Sequence, residues 1–295
     1  MRYLPRHCVT SIVAAAAMCS LPAHAVVVTF GGQAAADGSG VTSQFVNASN
    51  VVDPSTGYFI ETFDVATGNP ARPGPTSFPG QAPDGANMTT PYIGIAQGQG
   101  CAINSLGTAG ALQVTQGSFA VRKGSVPGVA ATPAGDTTCF GFGPGPAPAP
   151  NGVNGKIRVD YAAFLNPGVK VSYFGLYYGS IDTYNDIAFY NGANLIMGDG
   201  ILADGVITGS ELLALSGTAS GDQFAAGSNI YVNLSFGAGE EFTAFEFRTS
   251  GIAFEVDNIV AGLTSRNQVP EPGTLALVGL GLVGAASIRR RKQSR

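Results

Sequence analysis

A period of two runs through the second half of the chain. Ile157, Val159 and Tyr161 alternate with Lys156, Arg158 and Asp160. Ile230, Val232, Leu234 and Phe236 alternate with Tyr231, Asn233 and Ser235. Ile252, Phe254, Val256 and Val260 share one face, with Glu255 and Asp257 on the other. Successive side chains of a strand point to opposite sides, so the alternation predicts strands with one buried and one wet face. Such strands belong to antiparallel sheets packed face to face. Further strands are predicted at 26–30, 57–63, 92–96, 169–178, 186–190, 194–197 and 242–249, with strands or a hairpin about Gly117 in 111–122. Roughly a dozen strands in all predict an all-β fold, an antiparallel β-sandwich that is jelly-roll-like. One short helix interrupts them. Thr208, Gly209, Ser210 and Glu211 have the spacing of a capping box, and Leu212, Leu213 and Leu215 follow, giving about two turns at a sandwich edge.

Between these segments the chain is rich in Gly and Pro. Residues 31–43 read as a loop, and residues 64–90 hold five prolines. Pro144, Pro146, Pro148 and Pro150 recur at every other position within 124–155, which favours extended polyproline conformation. We expect a long surface loop there rather than a domain linker.

The ends differ from the body. Arg2 and Arg6 precede an apolar run from 9 to 21, and Ala23, His24 and Ala25 form a small-x-small cleavage site. Residues 1–25 are therefore expected to be a secretory signal peptide, with a mature start at Val26. Its removal takes both histidines, His7 and His24, and also Cys8 and Cys19. The two remaining cysteines, Cys101 and Cys139, are expected to pair in an oxidising compartment, the alternative being two free thiols in a Gly-rich loop.

Charge follows the same division. Seven of the 15 Lys and Arg lie in the two terminal segments, leaving eight against 19 Asp and Glu between Val26 and Pro272, a net of −11. So acidic a surface repels phosphate backbones, and nucleic acid is not expected as a partner.

At the C-terminus, Pro270, Glu271 and Pro272 precede an uncharged segment, 273–288, closed by Arg289, Arg290, Arg291 and Lys292. Sixteen residues make a helix roughly 24 Å long, short for a bilayer core of about 30 Å. The terminal position, the Pro-Glu-Pro break and the cations that follow favour a separate C-terminal transmembrane helix over a buried core helix. The three-part order resembles the PEP-CTERM sorting signal of Gram-negative bacteria, also catalogued as an ice-binding protein C-terminal motif. The resemblance implies an exosortase as partner beside the secretion machinery, cleavage near Pro270–Pro272, transient inner-membrane anchoring and release to the surface or beyond. The expected domains are 1–25, signal peptide; 26–265, extracellular β-sandwich; and 266–295, sorting signal with basic tail 289–295. Residues 179–185 and 254–259 also resemble a pattern in a subset of exosortase-dependent surface proteins, which implies no activity.

Candidate chemistry in the body is sparse. Tyr177, Tyr178, Asp182, Tyr184 and Asn185 lie within the aromatic-rich stretch 173–192. Aromatic faces stack on sugars and Asp or Asn can bond hydroxyls, so these five are candidates for binding exopolysaccharide. The simpler reading places the aromatics in the core and 182–185 in a tight turn. Asp204, Gly205 and Glu211 fit positions 5, 6 and 12 of an EF-hand loop, but Gly200 and Leu202 at positions 1 and 3 lack ligand oxygens. A non-EF structural calcium site stays open, with Glu255 and Asp257 as candidates; no other cofactor is expected. Without His there is no Ser-His-Asp triad. A carboxylate pair of glycosidase type is conceivable but no spacing marks one, and no enzyme is expected. Thr89–Thr90 and Thr137–Thr138 are isolated pairs, unlike the threonine arrays expected of an ice-binding face. The expected function is that of an exported structural or adhesive surface or biofilm-matrix protein, with a lectin-like module as the alternative and a glycoside hydrolase third.

Overall fold

Alternating side chains and abundant turns give almost pure antiparallel β-structure in the computed structural model, which describes residues 25–50, 54–64, 101, 113–116, 120–125, 127, 128, 130–143, 155–162, 165–251 and 253–264. The strands are β1 (Val27–Phe30), β2 (Gln33–Ala34), β3 (Val41–Thr42), β4 (Tyr58–Glu61), β5 (Gln113–Gln116), β6 (Ala120–Lys123), β7 (Cys139–Phe142), β8 (Lys156–Asp160), β9 (Val171–Gly179), β10 (Asn185–Asn191), β11 (Asn194–Leu195), β12 (Val206–Ile207), β13 (Ile230–Ser235), β14 (Ala244–Thr249) and β15 (Glu255–Leu263). Among the described residues one α-helix, α1 (Gly209–Ser216), stands between β12 and β13.

A seven-stranded sheet runs β1-β13-β9-β15-β7-β6, with β4 also paired to β15. A six-stranded sheet runs β11-β10-β14-β8-β5, with β12 on β10; β2 and β3 pair separately. Among the described residues neither large sheet closes on itself. From β8 onward the long strands change sheet at every step: β8, β10 and β14 belong to the six-stranded sheet, β9, β13 and β15 to the seven-stranded one. The two sheets meet through aromatic rings. Phe174 of β9 lies 4.7 Å from Phe245 of β14 and 5.6 Å from Phe189 of β10, and Phe254 lies 5.2 Å from Tyr178 and 4.6 Å from Phe247. Burying rings of this size supplies most of the apolar area that holds such layers together.

The predicted alternation holds on β8, where Ile157 and Val159 are buried and Lys156 is exposed. It fails on two strands of the other sheet, β13 and β15. Tyr231, Glu255 and Asp257, expected on wet faces, are buried. The cause is a second cover over the outer face of the seven-stranded sheet. Ser43 Oγ lies 2.8 Å from the Tyr173 hydroxyl, the Ala131 N–H donates to Glu255, the Tyr177 hydroxyl donates to the Ala134 carbonyl, and Asn258 Nδ2 donates to Ser39 Oγ. The fit is close at Gly40, where a Cβ would stand 2.7 Å from the Tyr177 ring. Residues 31–50 and 130–138 thus form a lid of small residues, and β9 and β15 are buried on both sides.

Other expectations change in detail. Residues 31–43 contain the β2–β3 pair rather than a plain loop. The long 124–155 segment contains β7. The strands β5 and β6 do not form a hairpin: β5 joins β8 and β6 joins β7, in different sheets. The helix begins as its capping box predicts. Glu211 N donates to Thr208 Oγ1 at 3.2 Å and Thr208 N donates to Glu211 Oε2 at 2.8 Å. It ends at Gly217 in the left-handed region, as a helix C-terminus favours. Leu212 and Leu213 are buried and Leu215 is exposed.

Among the described residues no helix is long and apolar enough to cross a membrane. The expected strand at 92–96, Gly117, the alternating prolines, Ile252, residues 1–24 of the expected leader and the whole sorting segment, including the helix expected over 273–288, lie outside the described residues.

Candidate functional site

The aromatic stretch begins on β9, whose neighbours must face opposite ways. Tyr178 points between the sheets, stacked on Phe254 at an interplanar angle of 20° and wholly buried. Tyr177 points outward but lies under the lid, beside Gly40 and Ala134. Ser180 adopts a positive φ of 42° and turns the chain towards β10. Asn185 opens β10 and is buried, donating to the Ala253 carbonyl at 3.1 Å and accepting from Thr249 Oγ1. The Asp182 carbonyl accepts from Asn185 N at 3.2 Å, closing the turn. Burial raises the Asp182 carboxyl above its ordinary value, against hydrogen bonds from Tyr184 and Ser220 that lower it. The half-buried Tyr184 hydroxyl is raised too, by burial and by Asp182. These five side chains therefore serve the inter-sheet core, the lid and the turn. They do not present one exposed stacking surface.

A polar group does face outward on the six-stranded sheet, which no lid covers among the described residues. Glu246 accepts from Tyr190 at 2.7 Å and pairs with Arg248 at 2.9 Å and Arg158 at 3.5 Å. Burial would raise Glu246, yet the bonds from Tyr190 and Arg248 hold it below its ordinary value. The Arg158 guanidinium sits 4.3 Å over the Tyr190 ring and occupies its face. The cluster is internally satisfied.

Glu255 and Asp257, the calcium candidates, share the lidded face but not one environment. Glu255 Oε1 accepts from Ala131 N at 3.0 Å and Oε2 from Ser180 Oγ at 3.3 Å. Burial pushes its carboxyl up to about 8, with Asp182 adding repulsion. Asp257 Oδ1 accepts from Asn258 N at 2.7 Å, while its Oδ2 has no hydrogen-bond partner. The charges acting most on Asp257 are Asp136, Asp64 and Asp37. No local pattern pointed to that group, because its members come from four distant segments. Among the described residues, no three or more His, Cys, Asp or Glu side chains form a ready-made metal cage.

Comparison with known proteins supplies what the geometry alone does not. Residues 268–292 match the family model described as the PEP-CTERM protein-sorting motif. The chain carries a PEP-CTERM sorting motif. No curated protein and no solved structure matches it. The match spans Pro270, Glu271 and Pro272, the apolar segment and the basic cluster through Lys292. A PEP-CTERM tail marks an exported protein processed by exosortase and sent to the cell surface or the extracellular space.

Export accords with the cysteines of the chain. Cys101 and Cys139 are joined by a disulfide, both buried, across a sequence separation of 38. Asp64 braces the link: it pairs with the Cys101 backbone, and its Oδ1 accepts from Cys139 N at 3.1 Å. The bond anchors β7, and with it the end of the lid, to the segment that follows β4.

Proposed function

We propose that this PEP-CTERM protein is a structural or adhesive, non-catalytic component of the cell surface or extracellular matrix, such as a biofilm matrix. A signal peptide over 1–25 starts its export, and the 273–288 segment holds it in the inner membrane until exosortase cuts near Pro270–Pro272. The sorting-motif match at 268–292 carries the reading. The delivered part, 26–265, is a jelly-roll-like β-sandwich. In support, the order β7-β15-β9-β13 in one sheet stands against β8-β14-β10-β11 in the other, with the chain crossing between them. That is the interleaving of two Greek keys.

The adhesive and lectin-like readings separate in a pull-down of the secreted protein on the producer's own extracellular polysaccharide. No retention favours a structural or protein-adhesive role. Retention lost in Tyr184→Ala, with an unchanged melting temperature, would favour sugar binding at the 180–185 turn. Fractionation tests the route. Cells lacking the sorting peptidase should hold the protein in the inner membrane, and free release from those cells would refute the assignment.

A further inference from the structure

The lid covers a group of oxygens that the fold itself leaves unused. Asp37 and Asn50 lie in the lid, Asp136 just before β7, and Asp257 in β15. Hydrogen bonds knit these segments together. Ser39 pairs through its backbone with Asp136, and Asp37 Oδ1 accepts from Ser39 N at 3.1 Å and Ser39 Oγ at 2.6 Å. Asn50 Nδ2 donates to Asp37 Oδ2 at 2.7 Å, to Ser39 Oγ at 3.0 Å and to Asn258 Oδ1 at 3.1 Å, and Asn258 directly follows Asp257. Asp64 lies close enough to repel both Asp136 and Asp257.

Three atoms in this knot stand out. Asp257 is 0% exposed, Asn50 1% and Asp136 8%; in each, one oxygen (Asp257 Oδ2, Asn50 Oδ1, Asp136 Oδ2) is shielded from water without a hydrogen-bond partner. A folded chain rarely leaves such atoms unpaired, and here three belong to the linked segments just described. Burial first, and then neighbouring carboxylates, oppose ionisation of Asp136 and Asp257, so without a counter-charge each would ionise beside like charge. A bound cation would resolve both defects.

We propose that this lidded knot binds one calcium-type divalent cation, with Asp136, Asp257 and Asn50 as ligands and Asp37 and Asp64 supplying further negative charge. The donors are carboxylate and amide oxygens from separate segments, the hard, adaptable set that calcium accepts through six to eight oxygens. Zinc and copper are disfavoured: the described residues hold no His, and both described cysteines are in the disulfide. The acids do not stand as a finished cage. The cation draws Asp136 Oδ2 and Asp257 Oδ2 together against their mutual repulsion and locks the lid onto the last strand. Glu255, whose two oxygens already have donors, is not a ligand.

The test uses the secreted protein, stripped with chelator and titrated calorimetrically with calcium or magnesium chloride. We expect one calcium site with a dissociation constant on the order of 0.1–1 mM, the range of extracellular modules, and weaker magnesium binding. Asp136→Asn should weaken calcium at least tenfold, Asp257→Asn should abolish it, and Glu255→Gln should leave it unchanged. Should Asp257→Asn fail to fold, terbium serves instead. Tyr177 pairs with Asp257 across β9 and β15, so tyrosine excitation should sensitise terbium emission that calcium quenches by displacement. Absence of calcium heat and of displaceable terbium emission in the wild type would overturn the proposal. So would calcium binding that Asp136→Asn leaves intact.

Discussion

Glu255→Gln isolates a single buried charge. The glutamate sits on β15 with both carboxyl oxygens bonded, and glutamine keeps its size and can keep both contacts. Burial raises the carboxyl from 4.5 to about 8. A group that holds its proton more tightly when folded makes the folded state lose stability as pH rises through that interval. The wild type should have its full contribution below about pH 4.5 and lose it progressively up to about pH 8. At 1.36 kcal/mol per pH unit, the interval corresponds to about 5 kcal/mol. For a chain of this size, that is about 10–20 °C in melting temperature. Glutamine cannot ionise, so the variant escapes the loss. Melting curves of both proteins in chelator, from pH 4.5 to 9, should coincide at the acid end and diverge above it, the variant being the more stable. Asp136 and Asp257, also raised by burial, titrate in both proteins and cancel in the difference. A constant difference across the range would refute the reasoning, as would a variant less stable at pH 9.

Three further substitutions test separate supports. Thr208→Ala removes the side-chain acceptor for Glu211 N and should cost about 1 kcal/mol, read by chemical denaturation. Replacing Cys101 and Cys139 together by Ser opens a loop that the chain-entropy model values at about 4 kcal/mol, and added reductant should then no longer lower the melting temperature. Gly209→Ala should be far costlier than an ordinary helix substitution, because a Cβ there would stand 1.9 Å from the Asp182 carbonyl oxygen; loss of soluble secreted protein is the expected readout.

What could be read in the sequence depended on how local its cause was. The capping box at Thr208–Glu211 is a four-residue pattern and formed as predicted. The alternation on β8 was legible because that strand keeps one wet face. On β15 the same rule misplaced Glu255 and Asp257. Their cover comes from residues 31–50 and 130–138, more than a hundred residues away and too rich in Gly, Ala and Ser to announce a packing surface. Of the strands or hairpin expected over 111–122, β5 and β6 formed but not as a hairpin, for a related reason: strand neighbours in a two-sheet fold need not be chain neighbours, and these two part to different sheets. The disulfide was legible through chemistry, since beyond residue 25 the sequence holds two cysteines. The knot of Asn50, Asp136 and Asp257 was not, because it exists only once the lid has closed over β15.

The intact mass of the protein released into the medium tests the sorting account most directly. Cells with the sorting peptidase should yield a chain that begins at Val26, ends near Pro272 and lacks the apolar and basic segment, with the Cys101–Cys139 bond formed. Cells without the peptidase should yield none of that species. A released protein that still carries Arg289–Lys292, or one unchanged by loss of the peptidase, would contradict the account.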